Sequence, residues 1–273
     1  MKNFKNKYKS IFSIVSNGTE SRKITGEATL ESILKSGYMN VISNGHNYFI
    51  DIHNHGCEEI NDLTYAALKS NSQSLYTITS SRFQLITAAA VLPYLNLFEN
   101  KKEACVLGSG PVAIGAVLEL QRIGFKTLTI ISSNSTSFNW LKNLDLNIRF
   151  NPNPEKEYPI VIEATGKEDN IQKSLEICQE KGLLGILGSP SKRNVIDLYQ
   201  LHRKSLNCIG MHELSISNTL RQEIFNDITE FQKKFRINVE NITQKWKFQE
   251  LQKLQQKLLN SNLDLPFNIV FKD

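Results

Sequence analysis

The sequence predicts an α/β chain whose middle third is a doubly wound parallel sheet, with a strand-rich segment before it and helical segments after it. Three observations carry that prediction. Strand and helix patterns alternate from residue 104 to residue 210, the signature of repeated β-α-β units. The first of those strands runs without a gap into a glycine-rich turn and a helical pattern, at Ala104-Cys-Val-Leu-Gly-Ser-Gly-Pro-Val-Ala-Ile-Gly115. The flanks lack the alternation: residues 1–95 carry turn signals at Asn17-Gly18, Ser36-Gly37, Asn44-Gly45 and His55-Gly56.

Taken in order, residues 11–15 (Ile-Phe-Ser-Ile-Val) read as a first strand. They follow a basic start, but the run is too short for a secretory apolar region. Residues 104–107 are a strand and 111–123 a helix that Gly124 ends. Residues 126–132 form the next strand, and 135–144 a helix with a serine or threonine cap. Pro152, Pro154 and Pro159 punctuate a loop before 160–166, a strand and turn. Residues 170–181 are helical, 182–188 a buried strand, 195–204 helical and 206–210 a last strand. Two helical patterns follow at 219–235 and 248–260, and a strand at 267–271 closes the chain. The Gln- and Lys-rich stretch 244–257 carries Trp246, Phe248, Leu251, Leu254 and Leu258 at the spacing of an amphipathic helix.

Composition narrows the function classes. At 273 residues, 40% hydrophobic and 22% charged, the chain belongs among soluble globular proteins of one or two domains, and no apolar run approaches a membrane span. Cys57, Cys105, Cys178 and Cys208 are widely spaced with no Cys-x-x-Cys pair, which predicts a reducing cytoplasm and no four-thiolate zinc. The net charge of +5 is spread along the chain without a basic stripe, so nucleic acid is not expected as a partner. A polyanionic cofactor accounts for the surplus more simply.

The turn after the first parallel strand has the features of a dinucleotide site. Gly108 and Gly110 permit a tight turn and close approach to a pyrophosphate, and Ala113 is small enough for helix-on-strand packing. Pro111 falls in the first helical turn, where its missing N–H costs little. Together with Ser109 and Val112 these residues form an anion site at a helix N-terminus. Such a glycine turn also serves methyltransferases and flavoproteins, so the end of the second strand discriminates further. NAD enzymes place an acid there for the ribose hydroxyls. No Asp or Glu occurs between Glu119 and Asp145, and the position is held by Ser132, followed by Ser133, Asn134 and Ser135. Hydroxyls and amides accept a 2′-phosphate that an acid would repel, which favours NADP(H) over NAD. No arginine follows Ser132, so the phosphate clamp is incomplete, and a polar helix-capping loop stands as the alternative.

With these residues in hand, the chain resembles the medium-chain dehydrogenase/reductase superfamily. Val106-Leu-Gly-Ser-Gly-Pro-Val-Ala-Ile-Gly115 is similar to its cofactor turn. Val161-Ile-Glu-Ala-Thr-Gly166 and Leu184-Gly-Ile-Leu-Gly-Ser-Pro190 resemble its fourth and fifth strands with their nicotinamide-side loops. Ile237-Asn-Val-Glu-Asn-Ile-Thr-Gln-Lys-Trp-Lys-Phe248 resembles the return to the catalytic domain, and Ser16-Asn-Gly-Thr-Glu20 and Ser36-Gly-Tyr38 resemble N-terminal signatures of shorter, zinc-free members. The resemblance implies a Rossmann-type doubly wound parallel sheet over residues 96–214, inserted in a reduced GroES-like β-rich catalytic domain formed by residues 1–95 and 215–273. It also implies a homodimer joined through edge strands near 206–210. Where zinc-using members carry ligands, this chain has Asn17, Tyr38 with Met39, and roughly Phe83, which do not make a stable zinc site. No metal is therefore expected.

The resemblance places Thr19 where a hydroxyl relays a proton beside the nicotinamide, with a plain turn residue as the alternative. Tyr38, in place of a metal ligand, is a candidate acid or a core tyrosine. Thr165, Gly166, Gly188 and Ser189 are implied to line the cofactor path through backbone groups. Separately, Asp51-x-His53-x-His55-x-Cys57 sets potential ligands on alternate positions. Substrate-facing acid/base histidines, a metal site and a solvated loop all remain open there, and His53 and His55 join Thr19 and Tyr38 as catalytic candidates. Tyr199 with Arg203 or Lys204 is near a Tyr-x-x-x-Lys pair, but the lysine is one position too far along and on a cofactor-domain helix, and Lys192-Arg193 reads as an exposed basic turn rather than a phosphate contact. The expected function is zinc-independent, NADP(H)-dependent oxidoreduction of a small substrate: an alcohol or carbonyl, an imine or an activated double bond. A degenerate nucleotide-binding sensor or partner subunit is the second reading. Methyl transfer is disfavoured by Ser132 and by the C-terminal resemblance.

Overall fold

The computed structural model describes residues 9–17, 24, 29–35, 39–43, 45–51, 64–69, 74–144, 146–151, 156–190, 195–213, 216–260 and 262–272. In chain order the elements are β1 (Lys9–Val15), α1 (Leu30–Lys35), β2 (Asn40–Ser43), β3 (Asn47–Asp51), β4 (Thr64–Lys69), α2 (Ser74–Val91), β5 (Glu103–Leu107), α3 (Pro111–Arg122), β6 (Thr127–Ile131), α4 (Thr136–Leu141), β7 (Ile148–Phe150) and β8 (Tyr158–Glu163). There follow α5 (Glu168–Ile177), β9 (Cys178–Ile186), α6 (Leu198–Arg203), β10 (Asn207–Gly210), α7 (Asn218–Lys234), β11 (Thr243–Lys247), α8 (Leu251–Leu259) and β12 (Phe267–Phe271). The chain divides into two compact units. One holds Met1–Ser80, Asn218–Asn226 and Asn238–Asp273; the other holds Ser81–Ser217 and Asp227–Ile237.

The second unit is a parallel sheet in the order β10-β9-β8-β5-β6-β7. Its inner strands are nearly continuous apolar runs: Ala104, Cys105, Val106 and Leu107 in β5, and Ile160, Val161 and Ile162 in β8, are all at most 3% exposed. A parallel sheet covered on both faces requires such strands. Strand order reverses at β5, which pairs with β6 on one side and β8 on the other. The carboxyl ends of β5 and β8 therefore flank the switch point where open α/β sheets bind ligands.

The first unit is a mixed sheet in the order β11-β12-β1-β2-β3-β4. Strand β1 pairs antiparallel with both β12 and β2, while β11 and β12 run parallel. Phe12, Ile14, Val41, Phe267 and Ile269 are fully buried in it. Leu251, Leu254 and Leu258 of α8, one face of a helix, are buried as well.

The α/β class and the parallel sheet match the sequence prediction, but several elements differ. The strand-rich reading of residues 1–95 misses α2, an 18-residue helix. Its buried residues include Tyr76, Thr79, Arg82, Phe83, Gln84, Ala89 and Val91, so it is covered on every side and presents no apolar stripe to detect. Thr79 and Ser80 return their hydroxyls to the carbonyls of Leu75 and Tyr76, which satisfies groups that otherwise favour turns. Trp246, grouped above with a helical pattern, lies in β11, where its Nε1 donates to Asn268 Oδ1 of β12 at 2.8 Å. The predicted helix 170–181 ends at Ile177, and Cys178 already opens β9. The predicted helix 195–204 shortens to α6, capped by Asp197 accepting from the amides of Tyr199 and Gln200. Short β7 was not expected. Among the described residues, no helix is long and apolar enough to cross a membrane.

Candidate functional site

The turn between β5 and α3 is built by three local choices. Gly108 has φ +124°, a conformation reserved for glycine, and a Cβ there would meet Thr165 Cγ2 at 3.0 Å and Ala113 Cβ at 3.3 Å. Its N–H donates to Ile131 O at 2.9 Å, which ties the turn to the end of β6. Gly110 is the extended N-cap of α3 and Pro111 its first residue. The N–H groups of Val112 and Ala113 therefore have no acceptor within the helix. Gly110 is exposed and, among the described residues, nothing lies within 4 Å of a Cβ built on it, so no described residue closes the helix N-terminus at that point. Open backbone donors at the positive end of a twelve-residue helix are what a pyrophosphate requires. The residues present fit a dinucleotide.

The serine-rich loop after β6 packs onto this turn. Half-buried Ser132 donates its hydroxyl to Ser109 Oγ at 2.9 Å and accepts the Asn134 N–H at 3.1 Å. Ser133 and Asn134 are exposed. The helix cap predicted for this loop does not form: Ser135 makes no side-chain cap bond to α4. Buried Ser137 instead donates to Ser109 O at 2.5 Å. Ser137 was missed in the sequence because a serine inside a predicted helix carries no signal of a contact 28 residues away.

On the other side of the switch point stands a group the sequence reading passed over. Glu163, the last residue of β8, is fully buried. Its Oε1 accepts from Thr165 N at 2.7 Å, from the Thr165 hydroxyl and from Gly166 N at 3.2 Å, while Oε2 accepts from Gly166 N at 2.9 Å. Burial pushes the Glu163 carboxyl above its ordinary range, and the Thr165 and Gly166 donors pull it back. The backbone oxygen of Glu163 accepts from Leu187 N and Gly188 N, so the loop after β9 is held to the same residue. Gly166, at φ +67°, leaves no room for a Cβ against Ser189 O, and a Cβ on Gly188 would sit 2.5 Å from Thr165 N. Thr165, Gly166, Gly188 and Ser189 are thus brought together, as two interlocked loops. The amides of Thr165, Gly166 and Gly188 already donate to Glu163, and neighbouring Ala164 N and Lys167 N donate to Leu107 O and Thr165 Oγ1. The signal that could have found Glu163 is an acid ending a buried apolar strand, since a buried carboxylate needs donors nearby.

Behind the turn, α3 is braced by a buried polar network. Arg122 forks onto Glu119 at 2.8 and 2.7 Å, Gln84 Nε2 donates to Glu119 Oε2 at 3.2 Å, and Gln232 Nε2 donates to Gln84 Oε1 at 2.9 Å. Cys105 and Cys178 of the parallel sheet are buried thiols. Burial pushes the Cys178 thiol up to about 12 and raises Cys105 well above its usual value.

The four catalytic candidates, Thr19, Tyr38, His53 and His55, lie outside the described residues. Of the positions matched to metal ligands, Asn17, Met39 and Phe83 are described, while Tyr38 is not. Asn17 Nδ2 donates to Pro266 O at 3.0 Å, and Asn268 Nδ2 donates to Asn17 Oδ1 at 3.4 Å. Phe83 is a fully buried residue of α2.

No family model matches the sequence, and no curated protein matches it. Solved structures match the fold. S. aureus TarJ aligns at a TM-score of 0.69 and 11% identity, covering 97% of this chain and 90% of TarJ, and TarJ is also solved in complex with NADPH. Acetophenone reductase from Geotrichum candidum, in complex with NAD, aligns at 0.68 and 14% identity over 97% of this chain and 89% of its own. The yhdH oxidoreductase from Salmonella enterica, in complex with NADP, aligns at 0.61 and 14% identity over 97% and 90%. The chain shares the fold of these dehydrogenase and reductase structures.

Proposed function

We propose that this protein is a zinc-independent oxidoreductase that passes hydride between NADP(H) and a small substrate: an alcohol or carbonyl, an imine or an activated double bond. The observation that carries the reading is the exposed helix N-terminus at Gly110, paired with a β6 terminus that ends in serine rather than an acid. In this reading Gly108, Ser109, Gly110, Pro111 and Val112 hold the pyrophosphate. Ser132, Ser133 and Asn134 receive the 2′-phosphate. Thr165, Gly166, Gly188 and Ser189 wall the path toward the nicotinamide. When bound, the nicotinamide supplies the hydride acceptor or donor. The protein's part is to orient it, exclude water and manage one proton.

Thr19 and Tyr38 are proposed for that proton, with His53 or His55 facing the substrate. Metal-free chemistry is supported by what occupies the ligand positions. Asn17 is already engaged with Pro266 and Asn268, and Phe83 is a core residue of α2. The fold shared with TarJ and yhdH, solved with NADPH and NADP, supports the cofactor class. A homodimer formed by β10, an edge strand among the described residues, is proposed with it.

Calorimetric titration of the purified protein with NADPH and, separately, NADH tests the reading. Tight NADPH binding with weak NADH binding is expected. Binding of neither overturns the oxidoreductase reading, and preference for NADH overturns the role given to the serine loop.

A further inference from the structure

We propose that Glu163 is a positioning residue for cofactor binding: its buried carboxylate is the clamp that sets the Thr165–Gly166 loop facing the dinucleotide turn. This rests on the reading of the site given above.

Two loops meet at this residue, one on its carboxylate and one on its backbone oxygen. The carboxylate takes the N–H groups of Thr165 and Gly166 together with the Thr165 hydroxyl. That donation orients Thr165, whose oxygen also accepts from Lys167 N at 3.1 Å and Asn170 Nδ2 at 3.0 Å. The hydroxyl is thereby saturated, with one proton given and two lone pairs used. So oriented, Thr165 sends Cγ2 to the edge of Gly108, 3.0 Å from where a Cβ would stand. The backbone oxygen of Glu163 holds Leu187 N and Gly188 N at 2.9 and 2.8 Å, fixing the loop that carries Ser189. Glu163, itself buried, thus sets the loop whose Thr165 packs against Gly108.

A bare electrostatic argument points the opposite way, which makes the inference sharp. A buried anion beside a polyanionic cofactor repels it, so removing the charge would tighten binding. A clamp predicts the reverse. Glutamine keeps the volume of Glu163 but places an amide donor against N–H groups that need an acceptor, so the turn loses at least one charge-assisted bond.

The test uses the full chain and two variants, Glu163→Gln and Thr165→Val, with NADPH titrated calorimetrically and backbone amide exchange followed by NMR. The expected result for Glu163→Gln is an NADPH Kd raised about tenfold or more, with the Thr165 and Gly166 amides exchanging faster by a similar factor. The β5 amides should keep their protection, which a general loss of stability would not allow. Thr165→Val removes one donor without touching the carboxylate, and should raise Kd by a smaller factor. It keeps the proposal testable if Glu163→Gln does not fold. Unchanged or tighter NADPH binding in a folded Glu163→Gln protein overturns the clamp, as does unchanged amide exchange. If the unsubstituted protein binds no nicotinamide cofactor, the proposed function fails, while the exchange measurement still decides whether Glu163 sets the Thr165–Gly166 loop.

Discussion

In the parallel sheet β5 pairs with β6 across a single helix, and β8 pairs with β9 across another. In the mixed sheet β1 lies beside β12, so that Ile14 faces Ile269 across some 250 residues of intervening chain. The first arrangement is assembled from neighbours in sequence. The second forms only when the two ends of the chain meet, which carries a larger loop-closure cost and leaves less local imprint. The cofactor residues of the proposed site sit on turns that local glycines and a proline dictate. Its catalytic candidates, Thr19, Tyr38, His53 and His55, lie outside the described residues.

The largest effect expected from breaking the parallel unit comes at a non-local bond within it. Arg82 of α2 is fully buried and meets Glu213, 7% exposed, through Nη1 and Nη2, each at 2.8 Å. Glu213→Ala removes the carboxylate facing a buried guanidinium. It should lower stability by about 3–5 kcal/mol in denaturant melts, the cost of removing one partner of a buried ion pair. A loss below about 1 kcal/mol would mean the pair is dispensable and that the unit rests on its local contacts alone.

In the mixed unit, Trp246→Phe is the sharper probe. The substitution keeps the ring in β11 but withdraws the Nε1–H that satisfies Asn268 Oδ1, a residue 1% exposed. A cost of about 1–3 kcal/mol is expected for the acceptor left buried. Amide exchange should locate it in β11 and β12 and leave β5 and β8 untouched. Equal deprotection of both sheets would show that the two units unfold as one, and the contrast drawn between them would not extend to stability.

These two residues also mark where sequence reading stops. Gly108, Gly110, Pro111 and the apolar runs of β5, β8 and β9 are legible because each encodes its own conformation. Ser132 is legible because the discriminating feature is what the position lacks. Arg82 is illegible because α2 is buried on every side and shows no period, and its partner stands 131 residues away. Trp246 misleads because its spacing to Phe248 and Leu251 fits a helix while its burial comes from β12. Glu163 falls between these cases. The strand that carries it is plain in the sequence, but its role depends on Thr165 and Gly166 folding back onto it. Thr19, Tyr38, His53 and His55 rest on resemblance and alternation alone.

The mildest perturbation bears on the most specific claim. Ser132→Asp places an acid where the second parallel strand ends. The site tolerates it on hydrogen-bond grounds, since the introduced carboxylate can accept from Asn134 N as Ser132 does, and Ser109 can turn its hydroxyl to donate. Ser132 is half-buried at the surface of the turn, so stability should change by no more than about 0.5 kcal/mol. Cofactor choice should move much further. A carboxylate accepts the two ribose hydroxyls of NADH and repels the 2′-phosphate of NADPH at short range. The ratio of NADPH to NADH affinity should therefore fall by about tenfold or more, an energy of about 1.4 kcal/mol or more. Titration of both cofactors into the variant reads this ratio directly. If the ratio stays put while both affinities hold, discrimination lies elsewhere on the rim, and Ser132 serves to tie the loop to Ser109. If NADPH weakens and NADH tightens together, the missing acid at the end of β6 is what selects the cofactor.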